Sequence, residues 1–306
     1  MVKLFFKSAI CLFFGHIMFA QSHTDKLKVL IVDGFSNHDW KQTSLIVKTI
    51  LEKSNLFEVD ISTAPSELED IAWENWRPKF KDYDVVIQNT NNIHNKKIQW
   101  PRVVQKEMEA YLRSGGGLYI LHSANNAFSS WKAYNLMIGL GWRLKEEGVA
   151  LQINGGGEVI KVPVGKGKST YHGSRNDEII YTLNNHPINK DFPKKWKTPN
   201  MELYKYARGP AKNITILSYA KDNETDINWP VEWVISYGKG RVYNSSMGHL
   251  WKGDIYPKSY RCIGFQTTLI RATEWLATGK VSYKLPINFP SEHRIELVNL
   301  EIDIKN

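Results

Sequence analysis

Three apolar runs in this chain end in the same abrupt way. KVLIVDG at 28–34, DYDVVIQN at 82–89 and GGGLYILHSA at 115–124 each pass from branched aliphatics straight into polar residues. Runs this short, without polar alternation, suit strands buried on both faces of a parallel sheet. A stretch with Leu45, Ile46, Thr49 and Ile50 on one helical face follows the first run and leads into FEVDIS at 57–62, which alternates as a strand should. Pro101 opens a second helix that runs to about Ser114 and lines up Val104, Met108, Tyr111 and Leu112. Strand, crossover and strand, repeated, commits the first half of the chain to a doubly wound, mainly parallel α/β sheet. Such sheets bind ligands beyond the C-terminal ends of their strands, so one rim collects residues 36–40, 89–92 and 122–126.

The pattern changes at Val149. VALQIN, EVIKVPV and NITILSYA are short β-rich runs, and PVEWVISYGKGRVYNSS reads as a hairpin about Tyr-Gly-Lys-Gly. A last helix, about Tyr260 to Thr278, stops at Gly279, and the tail 280–306 is expected to wrap the surface. No Pro/Ser/Gly-rich linker divides the chain, so residues 21–306 are expected to form one domain with its core at about 27–279. Residues 1–20 carry the basic start, apolar middle and small final residue of a secretory signal. The expected location is therefore secreted or periplasmic, without stable membrane insertion once the leader is cut. Cys11 falls inside that leader, and Cys262 alone cannot close an internal disulfide.

Loss of Lys3 and Lys7 with the leader lowers the formal charge from +9 to +7. That charge is spread along the chain, whereas a nucleic-acid binder calls for a continuous basic stripe. The expected partner is an oligosaccharide, acidic or neutral, and not nucleic acid. All eleven Trp lie beyond residue 20 and offer flat faces to sugar rings.

His38 and His122 fall just beyond strands expected to be neighbours, and His249 follows RVYNSSMG in the same manner. Three imidazoles facing one crevice would suit acid/base work, or tetrahedral zinc with a bound water. No HxH or HExxH spacing supports a metal, so the expectation is a site without metal or other cofactor. Glu202 and Tyr204, in NMELYKY, are the candidate general base and acid. Arg143, Arg175, Arg208 and Arg241 each offer a planar fork for a carboxylate. With Arg208 favoured among them, the remaining candidate substrate contacts are Trp40, Asn89, Ser123, His186, Trp229 and Glu232. Three familiar motifs are absent. GKGKS at 165–169 has Val162 where a P-loop needs glycine, NGGGE at 154–158 lacks dinucleotide spacing, and Ser123 lacks the Gly-x-Ser-x-Gly frame.

KVLIVDGFSNHDW, GGGLYILHSA, NHPI at 185–188, MELY at 201–204, and PVEW through YGKGRVYNSSMGH, taken in order, resemble the trehalose-utilisation ThuA-like family over about residues 27–279. The resemblance implies a class I glutamine-amidotransferase-like, flavodoxin-like fold, a three-layer α/β/α sandwich with a β-rich C-terminal half. His38, His122, His186, Glu202 and His249 match the family's recurrent polar positions. In the amidotransferases a Cys occupies the strand-to-helix elbow; here that turn carries His122 and Ser123, so thioester chemistry on glutamine is not carried over. The resemblance implies work on sugars. The first expectation is elimination of water or an alkoxide from a uronic-acid-containing oligosaccharide. The alternatives are hydrolysis or isomerisation of a disaccharide or 3-keto glycoside, and non-catalytic glycan binding on a platform of Trp40, Trp229 and Trp251.

Overall fold

The computed structural model describes residues 25–300; residues 1–24, with the leader-like segment 1–20, and residues 301–306 lie outside it. The first apolar run forms β1 (Leu27–Asp33). The patterned stretch after it forms α1 (Trp40–Lys53), capped where the Asp39 carboxylate accepts from the Gln42 N–H. Then come β2 (Phe57–Thr63), β3 (Val85–Gln88), α2 (Arg102–Ser114), β4 (Gly117–Leu121) and α3 (Lys132–Ile138). The second half supplies β5 (Val149–Ile153), β6 (Val159–Val162), β7 (Asn176–Thr182), β8 (Lys195–Met201), β9 (Arg208–Gly209), β10 (Ile214–Asp222), β11 (Ile227–Tyr237) and β12 (Gly240–Ser245). Two helices close the fold, α4 (Lys258–Arg261) and α5 (Ile263–Thr278). The last helix read from the sequence is thus broken at Cys262, where the backbone is extended.

One sheet runs through the whole chain in the order β2-β1-β3-β4-β12-β11-β10-β7-β8. β2, β1, β3, β4 and β12 are parallel. β11 turns back against β12 as the hairpin predicted, and β10, β7 and β8 continue antiparallel. The sheet is therefore mixed rather than mainly parallel, because every neighbouring pair from β12 through β11, β10 and β7 to β8 is antiparallel. β7 and β8 have no counterpart in the sequence reading. β8 is an edge strand, which is where Pro199, with no N–H to give, can be accommodated.

The buried runs serve two cores. Val29 and Ile31 of β1 pack with α1 and α5, while Leu30 and Val32 pack on the other face with α2 and α3. The glycine run before β4 allows close contacts: a Cβ on Gly116 would sit 2.3 Å from the Tyr111 ring, and one on Gly117 would sit 2.8 Å from the Leu276 carbonyl. The tail returns over the last helices, with the Ile263 N–H bonded to the Glu296 carbonyl and the Val298 N–H to that of Arg261. Among the described residues no helix is long and apolar enough to cross a membrane.

The chain leaves β1 to build β2 on one side and β3 on the other. This reversal opens a crevice between the C-terminal ends of β1 and β3, the position where doubly wound sheets hold ligands.

Candidate functional site

Four strand ends deliver side chains to that crevice. The loop after β1 brings His38, the turn after β4 brings His122, and the segment after β12 brings His249. Glu202 and Tyr204 arrive from the opposite side, directly after β8. The three imidazole centroids stand 5.0, 5.0 and 5.3 Å apart, each ring edge-on to the next. Glu202 lies among them, with Oε1 at 3.2 Å from His249 Nε2 and Oε2 at 3.5 Å from His122 Nε2. The Tyr204 hydroxyl is 3.4 Å from His122 Nε2.

His122 sits at the apex of the elbow with φ +44, a left-handed conformation unusual for a residue with a side chain. A strained residue where a strand turns sharply into a helix is how a nucleophile elbow lifts its side chain out of the sheet. Here the lifted group is an imidazole, and Ser123 is buried beside it. Arg143 fixes the turn from behind, donating to the carbonyls of Asn125, Asn126 and Ala127 and to Asn135 Oδ1.

Burial sets the charge states. Desolvation, reinforced by His122 and His249, keeps His38 far below the usual histidine range. Burial, together with His122, pushes His249 down to about 3. For Glu202 burial works upward, but the contact with His122 and the fields of His122, His249 and His172 outweigh it and keep the carboxylate ionised. Burial and the Glu202 charge hold the Tyr204 phenol protonated.

In front of this cluster is a cavity of about 350 Å³ whose walls include Trp142, His172, Arg175 and Trp251. Sequence reasoning missed His172 and Trp142, and it named Arg175 only as one of four. The other three arginines are committed elsewhere: Arg143 to the elbow, Arg208 to the carbonyls of Gly148, Pro163, Lys166 and Lys168, and Arg241 to the C-terminal carbonyls of α5. Arg175 alone of the four faces the cavity, with Nη1 at 3.2 Å from His249 Nδ1.

Several expected contacts lie away from the cavity. Arg208 is fully buried in the β5 and β9 region. Glu232 is sealed in the core, accepting from Ser218 and Tyr243. Trp229 is buried against Tyr206 at 4.5 Å, so the expected platform of Trp40, Trp229 and Trp251 does not form. His186 caps a short turn and packs edge-on to Trp275 at 4.7 Å. Asn89 ties β3 to α1 through the Trp40 carbonyl and Ser44, which leaves Trp40 beside the rim rather than in the cavity lining. These residues are polar or aromatic for packing reasons that a linear pattern cannot separate from binding. The aromatic walls are instead Trp251, 44 % exposed, and Trp142, edge-on to Tyr204 at 5.2 Å.

A mixed α/β sheet with a histidine at its elbow and a His–Glu–Tyr cluster beyond its parallel strands defines the class of protein. The model of the trehalose-utilisation family ThuA matches residues 28–276. The chain belongs to that family. A ThuA-like protein from Parabacteroides merdae is 31 % identical with a TM-score of 0.83, over 90 % of this chain and 98 % of that one. A cytoplasmic protein from Salmonella typhimurium, 13 % identical over 82 % of this chain and all of its own, has a TM-score of 0.46, too distant to bear on function. No curated protein matches the chain.

Proposed function

We propose that the protein is an exported carbohydrate-active enzyme that eliminates water or an alkoxide from a uronic-acid-containing oligosaccharide. The observation that carries the reading is the cavity itself, where an arginine fork, two aromatic walls and a buried acid/base cluster meet. Export rests on the leader-like residues 1–20. The proton on C5 of a uronate is α to its carboxylate and becomes removable when that charge is neutralised. Arg175 supplies the neutralising fork and Trp142 and Trp251 the flat faces for the ring. An unprotonated imidazole nitrogen takes the C5 proton, the C–H electrons form the C4–C5 double bond, and the C4–O bond breaks. Tyr204, kept protonated, gives its proton to the departing oxygen. His172, which lines the cavity, qualifies as the base, since it commits Nδ1 to the Gly173 carbonyl and turns Nε2 toward Glu202; His122 has the same disposition but lies behind the lining.

The test is incubation of the purified protein with uronate-bearing oligosaccharides, followed by ultraviolet absorbance and mass spectrometry. Elimination gives the absorbance of a C4–C5 unsaturated uronate, with loss of 18 mass units for dehydration. Cleavage that adds water moves the assignment to hydrolysis, and binding without a change of mass moves it to glycan recognition. Arg175→Gln is expected to raise KM for uronate-bearing substrates at least about tenfold, as removal of a charge-assisted pair should.

A further inference from the structure

The imidazoles of the cluster can be assigned proton by proton, and the assignment leaves a set of lone pairs facing one another. The backbone N–H of Ile93 donates to Asn91 Oδ1 at 3.0 Å, which fixes the orientation of that amide. Its Nδ2 therefore donates to Asn37 Oδ1, at 2.6 Å. His38 Nδ1 meets the same oxygen at 2.9 Å, so it carries the ring proton, and Nε2 is a bare lone pair. His38 is 7 % exposed, and its Nε2 is buried without a hydrogen-bond partner. A buried acceptor in that state is costly unless something electrophilic meets it.

His122 repeats the arrangement. Its Nδ1 lies 2.7 Å from the Ser246 carbonyl, which only accepts, so Nε2 of the neutral ring is again a lone pair, turned toward the Glu202 carboxylate. The Tyr204 hydroxyl reaches that lone pair only at 3.4 Å, and His122 Nε2 and Glu202 Oε2 still face each other as two acceptors 3.5 Å apart, a gap that a cation would close. His249 has the opposite tautomer. Arg175 can only donate to its Nδ1, so the ring proton is on Nε2 and goes to Glu202 Oε1.

The geometry points to a divalent cation, of the kind zinc represents, held by His38 Nε2, His122 Nε2 and the Glu202 carboxylate. The donor atoms that His38, His122, Glu202 and His249 can offer all lie within 4.8 Å of one another. Two imidazoles and one carboxylate, with a further position open to solvent or substrate, are the donor set of catalytic zinc sites. The hydrogen bond from His249 supplies the outer contact that orients a ligating carboxylate, and Asn37 and the Ser246 carbonyl do the same for the two imidazoles. The four residues come from separate loops, which is why no compact ligand spacing marks them in the sequence. With His122 engaged in this way, His172 is the imidazole left to act as base.

This inference does not depend on the elimination reading, because metal binding is measured without turnover. Untagged full-length protein, stripped with a chelator and titrated with zinc alone, is expected to take up one equivalent per chain in calorimetry and elemental analysis. Cobalt in place of zinc is expected to give the intense visible band of a low-coordinate centre. His38→Ala and the isosteric Glu202→Gln should each weaken zinc binding at least about 100-fold and abolish the band. His249→Gln should keep one equivalent at about 10- to 100-fold lower affinity. Circular dichroism on each variant separates loss of ligand from loss of fold. Wild-type protein that binds no zinc, or a folded His38→Ala that binds it as tightly as wild type, overturns the metal centre. Loss of zinc in His249→Gln as complete as in His38→Ala overturns the ligand assignment. Stoichiometric zinc without action on uronates removes the elimination reading alone; elimination by a protein unable to bind zinc removes the metal centre alone.

Discussion

At the scale of single residues the elbow histidine ties backbone strain to function. A left-handed conformation costs a residue with a Cβ about 1–2 kcal/mol, and glycine escapes it. His122→Gly and His122→Ala both lose the ring and its bond to the Ser246 carbonyl, but only the alanine variant keeps the strain at φ +44. Urea denaturation should therefore show the glycine variant more stable than the alanine variant by about 1 kcal/mol, with turnover lost in both; equal stabilities would mean that the turn is unstrained. His38, His122 and His249 were legible because each follows an apolar strand, and the strand-end rule applies to all three. Glu202 and Tyr204 were legible through the MELY resemblance. His172, Arg175 and Trp142 were not, because they sit in irregular loops where no period exists to place them.

Among elements, the turn after β4 is braced from behind by Arg143. That guanidinium is buried without a carboxylate partner, and desolvation lowers its pKa to about 10. Its donors are spent on the carbonyls of Asn125, Asn126 and Ala127, which follow the elbow directly. Arg143→Met fills similar volume but leaves those carbonyls buried and unpaired, at about 1–3 kcal/mol each. A loss of at least about 3 kcal/mol in denaturant titration is expected, with a fall in turnover even at temperatures where the variant remains folded. Gly117→Ala acts on the other end of β4 by wedging a methyl against the Leu276 backbone, and about 1–3 kcal/mol is expected there. The parallel half was legible because β1, β3 and β4 are runs buried on both faces, β2 alternates as an edge strand should, and the helices keep their period. β7 and β8 escaped because KWKTPNM and NDEIIYT mix charges and a proline into strands at or near an edge, where burial no longer writes a pattern.

For the molecule as a whole, buried carboxyl groups of the sheet outside the site couple folding to pH, Glu232 among them. Glu232 accepts from Ser218 and Tyr243 across three neighbouring strands, deep in the antiparallel half. Burial raises its pKa, and the hydrogen bonds from Ser218 and Tyr243 only partly offset that rise. A carboxyl whose folded pKa lies above its unfolded value binds its proton more tightly in the folded chain. The stability it contributes is therefore complete below the unfolded pKa and is lost as pH rises through the folded one. Glu178 is shifted in the same direction and Glu202 in the opposite one, so the pH profile of the wild type alone cannot isolate Glu232. Glu232→Gln keeps the shape and the two hydroxyl partners and has no proton to lose. The difference in unfolding free energy between variant and wild type, measured in urea at a series of pH values, subtracts everything else that titrates. That difference should move in favour of the variant from about pH 4.5 upward, with a slope approaching about 1.4 kcal/mol per pH unit, and level off once the folded carboxyl has ionised. A difference that stays flat from pH 4 to 8 would mean that Glu232 binds its proton no more tightly in the folded chain than in the unfolded one, with its two hydroxyl donors offsetting the burial in full.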